Sequence, residues 1–282
     1  MAKTRRGGQN ANRVSRFARF RNGGVAPAQP QAQQQQPATP APANAVGGND
    51  PIAAFSQMSD AQKAALVQSA STARVKAGFP KTEWQKFLAV SGLDNTAPQL
   101  VSDAQLDAMS GNDFFRGVRS SNQTKVDDMI GELLTADATW HSDTGGSMVG
   151  RGIYLSPDIH VSAGQYAVGA PAGAVARFKL GSNARTIDHA SLGALLRRDM
   201  SSGTAFGKEL RRLVNAGNTH DAESICAASH NYNVITGGWT NAVLSRSALV
   251  ASYDYVSVNG LQDSDGARRA TNWKDLRRRL NQ

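Results

Sequence analysis

Apolar positions recur in two ways along this chain, and the change falls near residue 110. Between residues 51 and 110 the spacing is helical. Ser59-Asp60 precedes residues 61–75, where Ala65, Leu66, Ser69 and Ala73 lie on adjoining faces, which predicts an N-capped helix. Thr82 is placed to cap a helix over 83–90, and Ser102-Asp103 to open another through Met109. After residue 110, short apolar runs alternate with helical stretches. A strand is predicted at 114–118, then a helix over 124–134, with Val126, Met129, Ile130, Leu133 and Leu134 at helical spacing. Further strands are predicted at 153–156, 174–180, 232–235, 242–244 and 248–258. Helices are predicted at 157–167, 190–199, 205–214, 220–229 and 273–280. Strands and helices mix without regular βαβ alternation, so the expected class is α+β rather than a doubly wound sheet.

The first 50 residues carry a different pattern. Residues 1–22 set Val14, Phe17 and Phe20 three apart among arginines, a spacing that suits a short basic amphipathic helix on an anionic surface. Residues 23–50 are Ala, Pro and Gln in low complexity, including the run Gln33 to Gln36, too apolar-poor to offset chain entropy. The expected organisation is a disordered basic tail over 1–50, a helical subregion over 51–110 and a second domain over 111–282.

Charge follows the same division. The formal net charge is +9, and residues 1–50 hold seven cations against Asp50 alone, which leaves +3 for the remainder. The basicity belongs to the tail, whose expected contact is non-specific nucleic acid or a capsid surface through residues 1–22. Few aromatics accompany these cations, which argues against specific single-strand recognition. The arginine-rich end over 273–280 reads as a solvated face or a nucleic-acid contact.

Cys226 is the only cysteine, so an intramolecular disulfide and a cysteine-built zinc cluster are excluded, and its expected place is in the core. His141 and His160 show no metal-ligand spacing, and no metal is expected. No run of 18 apolar residues occurs, which argues against a membrane-spanning helix. The basic N-terminus is followed by no apolar stretch of the kind a standard secretory signal needs.

A glycine-rich run, Gly145-Gly146-Ser147-Met148-Val149-Gly150-Arg151-Gly152, invites a nucleotide-binding reading. A dinucleotide fingerprint requires a helix after the glycines, whereas a strand is predicted here, and no GxxxxGK[ST] is present. Both common phosphate loops are rejected.

An ordered set of segments carries more information. Phe114-Phe115-Arg116-Gly117-Val118 resembles the first-strand motif of ADP-ribosyltransferases, in which an aromatic precedes Arg-Gly. Gly150-Arg151-Gly152-Ile153-Tyr154-Leu155-Ser156 is similar to their Gly-x-Gly-Ile-Tyr-Phe-Ser strand, and Ala163-Gly164-Gln165-Tyr166-Ala167 to the helix after it. Tyr232-Asn233-Val234-Ile235 and the segment from Val243 to Val250 resemble the closing strands of members carried by phage head proteins. The resemblance spans roughly residues 95–252.

The resemblance implies a split β-sandwich that binds NAD as a substrate and transfers ADP-ribose to a macromolecular acceptor, with protein the expected class. It places the chain in a host cytoplasm or a virion. Arg116 would hold NAD, since a guanidinium fork suits pyrophosphate or ribose oxygens. The backbone of Gly117 would grip the carboxamide, Tyr154 and Tyr166 would flank the nicotinamide, and Ser156 would orient the site. Each has a plainer reading. Ser156-Pro157-Asp158 is also a good helix start, the tyrosines suit a core, and Arg116 suits a strand end.

Family members place a glutamate near the last strands, and here the loop reads Gly237-Gly238-Trp239-Thr240-Asn241-Ala242, without an acid. Asn241 can hydrogen-bond a ribose hydroxyl but brings no negative charge. Glu223, on the preceding predicted helix, is the first fallback and Asp254 the second. Three readings follow: a mono-ADP-ribosyltransferase, a degenerate domain of that fold serving in a virion or scaffold, and a nucleic-acid-associated protein acting through its basic tail.

Overall fold

A computed structural model describes residues 50–73, 82–93, 96–135, 149–258 and 270–280. The expected tail helix and linker, His141, and Gly145 to Met148 of the glycine run lie outside them. Contacts gather residues 48–282 into one unit.

The class is α+β, as expected, with two mixed four-stranded sheets. In chain order the elements are α1 (Pro51–Ser56), α2 (Asp60–Thr72), α3 (Glu83–Ser91), β1 (Gln99–Val101), α4 (Asp103–Ala108), β2 (Phe114–Ser120), α5 (Gln123–Leu134) and β3 (Ile153–Leu155). There follow α6 (Ile159–Val161), which continues as a π-helical turn (Ser162–Ala167), then β4 (Ala172–Leu180), β5 (Thr186–Asp188), α7 (His189–Ser201), α8 (Ala205–Asn215) and α9 (Thr219–Ser229). The last are β6 (Val234–Gly237), β7 (Thr240–Val243), β8 (Leu249–Ser257) and α10 (Trp273–Arg279).

Strand order is β1-β8-β4-β2 in the first sheet and β3-β7-β6-β5 in the second. Each is antiparallel apart from one parallel edge, β1 beside β8 and β5 beside β6. The two sheets share a core. Phe114, Val118, Ala174, Ala176, Phe178 and Ala251 meet Ile153, Leu155, Val234 and Val243, and α5 adds Val126, Ile130 and Leu133. β4 is buried almost throughout because its opposite face is covered too, with Val175 packed among Phe115, Val256, Trp273 and Leu276.

The helical subregion does not form a core of its own. Ile52, Phe55, Val67, Trp84 and Phe87 pack with Leu192, Leu210, Ile225 and Cys226 of α7–α9 and with Ile235 and Ala242 of the second sheet. Residues 99–101 of that subregion form strand β1.

Local chemistry explains the boundaries. Ser59 with Gln62, Thr82 with Gln85 and Ser102 with Gln105 form reciprocal capping boxes that satisfy backbone donors at the starts of α2, α3 and α4. The predicted 157–167 helix is instead one short turn continued by a π-turn. That wider turn carries the chain close over β2, where a Cβ on Gly117 would lie 1.9 Å from the Ser162 carbonyl oxygen and 3.0 Å from the Tyr166 Cβ.

Candidate functional site

β2 and β3 are edge strands of different sheets, joined by the isolated antiparallel bridge between Phe115 and Ser156. Their backbones exchange two hydrogen bonds there, 2.8 and 3.0 Å long. Away from this bridge the strands belong to separate sheets. Arg116 follows Phe115 on β2, and its guanidinium donates to the Tyr154 carbonyl at 3.1 Å. An arginine suits this place because a carbonyl on a sheet edge needs a donor that the neighbouring strand does not supply.

The next strand inward brings Asn241 alongside. β3 pairs with β7 so that Tyr154 lies opposite Ala242 and Leu155 opposite Asn241. Asn241 is buried, and the neighbouring Thr240 hydroxyl donates to the Leu155 carbonyl at 3.3 Å. Segments far apart in sequence, Arg116-Gly117, Tyr154 to Ser156 and Asn241, thus lie on adjoining strands. Tyr166 is exposed on the π-turn against Gly117, and the Ser162 hydroxyl ties that turn to the Phe115 carbonyl at 2.9 Å.

Two tyrosine expectations separate here. The Tyr154 hydroxyl is turned to the glycine loop, donating towards the carbonyls of Val149 at 3.0 Å and Gly150 at 2.7 Å, while its ring packs on the helical core. Tyr166 is the open aromatic of the two. The Ser156 hydroxyl accepts from the Asp158 N–H at 3.0 Å, and Asp158, rather than Ser156, caps the helix that follows, accepting the His160 N–H at 2.7 Å.

Glu223 sits in the first turns of α9 and is buried, with both carboxylate oxygens engaged. One accepts the Gly150 N–H at 2.8 Å and meets His220 Nδ1 at 2.9 Å, and the other meets His189 Nε2 at 3.1 Å. Burial alone would raise its pKa, but His220, the Gly150 N–H and His189 outweigh it and hold the carboxyl below its ordinary range. Ser224 continues the grip, accepting the Arg151 N–H at 2.5 Å and donating to the Arg151 carbonyl at 2.9 Å. Glycine is required in the gripped loop. Gly150 has φ +56°, and a Cβ there would lie 2.5 Å from Ile235 Cδ1. Glu223 therefore anchors the loop that leads into β3. His189 and His220, its partners, carry no spacing signal, being 31 residues apart on different helices.

Asp254 lies on the outer half of β8 and is exposed. A cavity of about 460 Å³ opens on the far side of the Phe115 bridge, lined by Asp113, Phe115, Pro157, Asp158 and Thr271 among others. Arg116 and Asn241 are not among its lining residues. Elsewhere, Asp199, Cys226 and His230 bring three ligand-type atoms within 4.8 Å of one another, a convergence across α7 and α9 that cysteine count alone does not show.

No helix among the described residues is long and apolar enough to cross a membrane. No protein-family model, curated protein or solved structure matches the chain.

Proposed function

We propose that residues 111–282 form an ADP-ribosyltransferase-like domain that binds NAD and transfers ADP-ribose to a macromolecular acceptor. The observation carrying this reading is the adjacency of two motif segments, Arg116-Gly117 and the Ile153–Leu155 strand, with Asn241 on the strand paired to the second. In the reaction the bond between nicotinamide and ribose C1′ breaks, nicotinamide leaves as a neutral base, and an acceptor nucleophile attacks C1′ and loses its proton. The transition state is cation-like, so positioning and electrostatics supply most of the acceleration. Arg116 neutralises the pyrophosphate, the Gly117 backbone holds the carboxamide, Tyr166 stacks on the nicotinamide, and Asn241 bonds a ribose hydroxyl.

One observation favours a second reading, a domain that binds NAD without transferring it. The first fallback acid, Glu223, has both oxygens committed to the glycine loop and two histidines. Incubation with labelled NAD and a cell lysate, beside an Arg116→Ala control of unchanged circular dichroism, separates the outcomes. Label on macromolecules with wild type alone supports the transferase. Saturable NAD binding without transfer supports the second reading. Absence of both sinks the assignment.

A further inference from the structure

Asp199 near the end of α7 and Cys226 and His230 at the end of α9 converge on one point. The Cys226 thiol lies 3.6 Å from Asp199 Oδ2, and His230 Nε2 lies 2.6 Å from the same oxygen. Cys226 and His230 are four residues apart, so α9 presents both on one face. Asp199 is paired with His230 and Arg198, while Cys226 belongs to the apolar cluster that also holds Leu192, Leu196, Ala222 and Ile225, where a thiol needs no carboxylate beside it. A thiol is a weak donor and gains little there. The order of contacts is also wrong for a nucleophile, because the imidazole nitrogen is spent on the carboxylate and the thiol is fully buried.

We propose that Asp199, Cys226 and His230 form a site for one tetrahedral dication of the zinc class, with water as fourth ligand. A thiolate, an imidazole and a carboxylate are a donor set that zinc accepts. Bond lengths of about 2.0–2.3 Å put the ligand atoms of a tetrahedral ion about 3.4–3.6 Å apart. The sulfur-to-oxygen distance already has this value. The imidazole must draw back by about 0.8 Å to reach it, a shift open to a partly exposed side chain at a helix end. Arg198 competes for the site. Its guanidinium lies 3.2 Å from Asp199 Oδ1 and 3.5 Å from His230 Nε2, on a side chain 65% exposed that is able to turn away.

Binding exchanges protons for the ion. The thiol releases its proton to solvent as sulfur bonds the metal, with no change of oxidation state. Burial, and then Asp199, hold the metal-free thiol well above its ordinary pKa. Uptake therefore strengthens by about tenfold per pH unit for each proton released.

The test is Co2+ titration of the untagged, chelator-treated 282-residue chain, followed by thiolate-to-cobalt absorption and by competition with Zn2+. One equivalent should bind with a tetrahedral spectrum and proton release. Cys226→Ser should lose the charge-transfer band, and His230→Gln should weaken binding by about 100-fold. Arg198→Ala should tighten it several-fold. His230→Gln guards against a misfolded Cys226→Ser, since it alters only a partly exposed helix end. Absence of uptake by the wild type at large Co2+ excess overturns the proposal, as does uptake undiminished in both ligand variants.

Discussion

Glu132 shows how one side chain can set a pH dependence. It lies half-buried on α5, where burial, and then the nearby Asp128, raise its pKa to about 7 against the lowering pull of Arg246. The unfolded carboxyl titrates near 4.5, so the folded state binds the proton more tightly. A raised carboxylate pKa makes ionisation a cost to folding. The cost is absent below about pH 4.5, grows between the two values and is complete above about 7. Glu132→Gln should therefore stabilise the protein at pH 8, by about 1 kcal/mol once solvent screening is allowed for, and leave it unchanged at pH 4. Urea unfolding at the two pH values measures this, and equal shifts at both would refute it. Glu223 has the opposite sign, because its depressed pKa gives stability that is present above pH 4.5 and lost as pH falls further. Two glutamates in a glutamate-poor chain thus push stability in contrary directions as pH changes.

At the scale of elements, α10 illustrates why a charge pattern is a poor guide to burial. Its arginines suggest a solvated helix, yet Trp273 and Leu276 are buried and the Trp273 ring stacks on Phe115 at 6.2 Å. The indole N–H donates to Asp103 at 2.9 Å, where Arg277 also binds, and the buried Arg177 pairs with Asp107 and Asp113. Helix α4, the first sheet and α10 are stitched together through these acids. Trp273→Ala should cost about 3–5 kcal/mol, whereas Arg278→Ala, an exposed pair with Asp275, should cost under about 1 kcal/mol. Denaturant midpoints give both values, and a small loss for Trp273→Ala would mean that the helix is dispensable. The sequence announced the cationic face but not the aromatic anchor, because Phe115 and Trp273 are 158 residues apart. The same limit hid β1 and β5, three-residue strands held by parallel partners far along the chain. Local signals were legible: the caps at Ser59, Thr82 and Ser102, and the strand runs at Phe114 and Ile153. Of the candidate site, Arg116-Gly117 and Tyr154 to Ser156 could be read as motifs. The clamp on Glu223 and the meeting of Asp199 with Cys226 and His230 could not, because both depend on helix packing rather than spacing.

For the whole molecule, charge divides the chain into two unequal parts. All seven tail cations fall within residues 1–22, and their removal lowers the net charge from +9 to +2. Within the described unit, many cations are already matched: Arg177 by Asp107 and Asp113, Arg277 by Asp103, Arg279 by Asp275 and Arg212 by Glu209. The excess of positive charge in the sequence is densest in the tail, which is where a polyanion is expected to bind. If about six of those side chains contact phosphates, affinity for duplex DNA should fall roughly 10³-fold or more between 50 and 200 mM salt. The dependence should not vary with DNA sequence, because phosphate contacts carry no base information. A chain lacking residues 1–22 should lose this binding while keeping its melting temperature and any NAD binding. The comparison is made by fluorescence anisotropy over a salt series, with both chains on the same duplex. A truncated chain that retains most of the affinity would move the anionic contact onto the folded unit, with the exposed cations of α7 and α8 as the next surface to vary. A truncated chain that also loses NAD binding would instead make the tail part of the site.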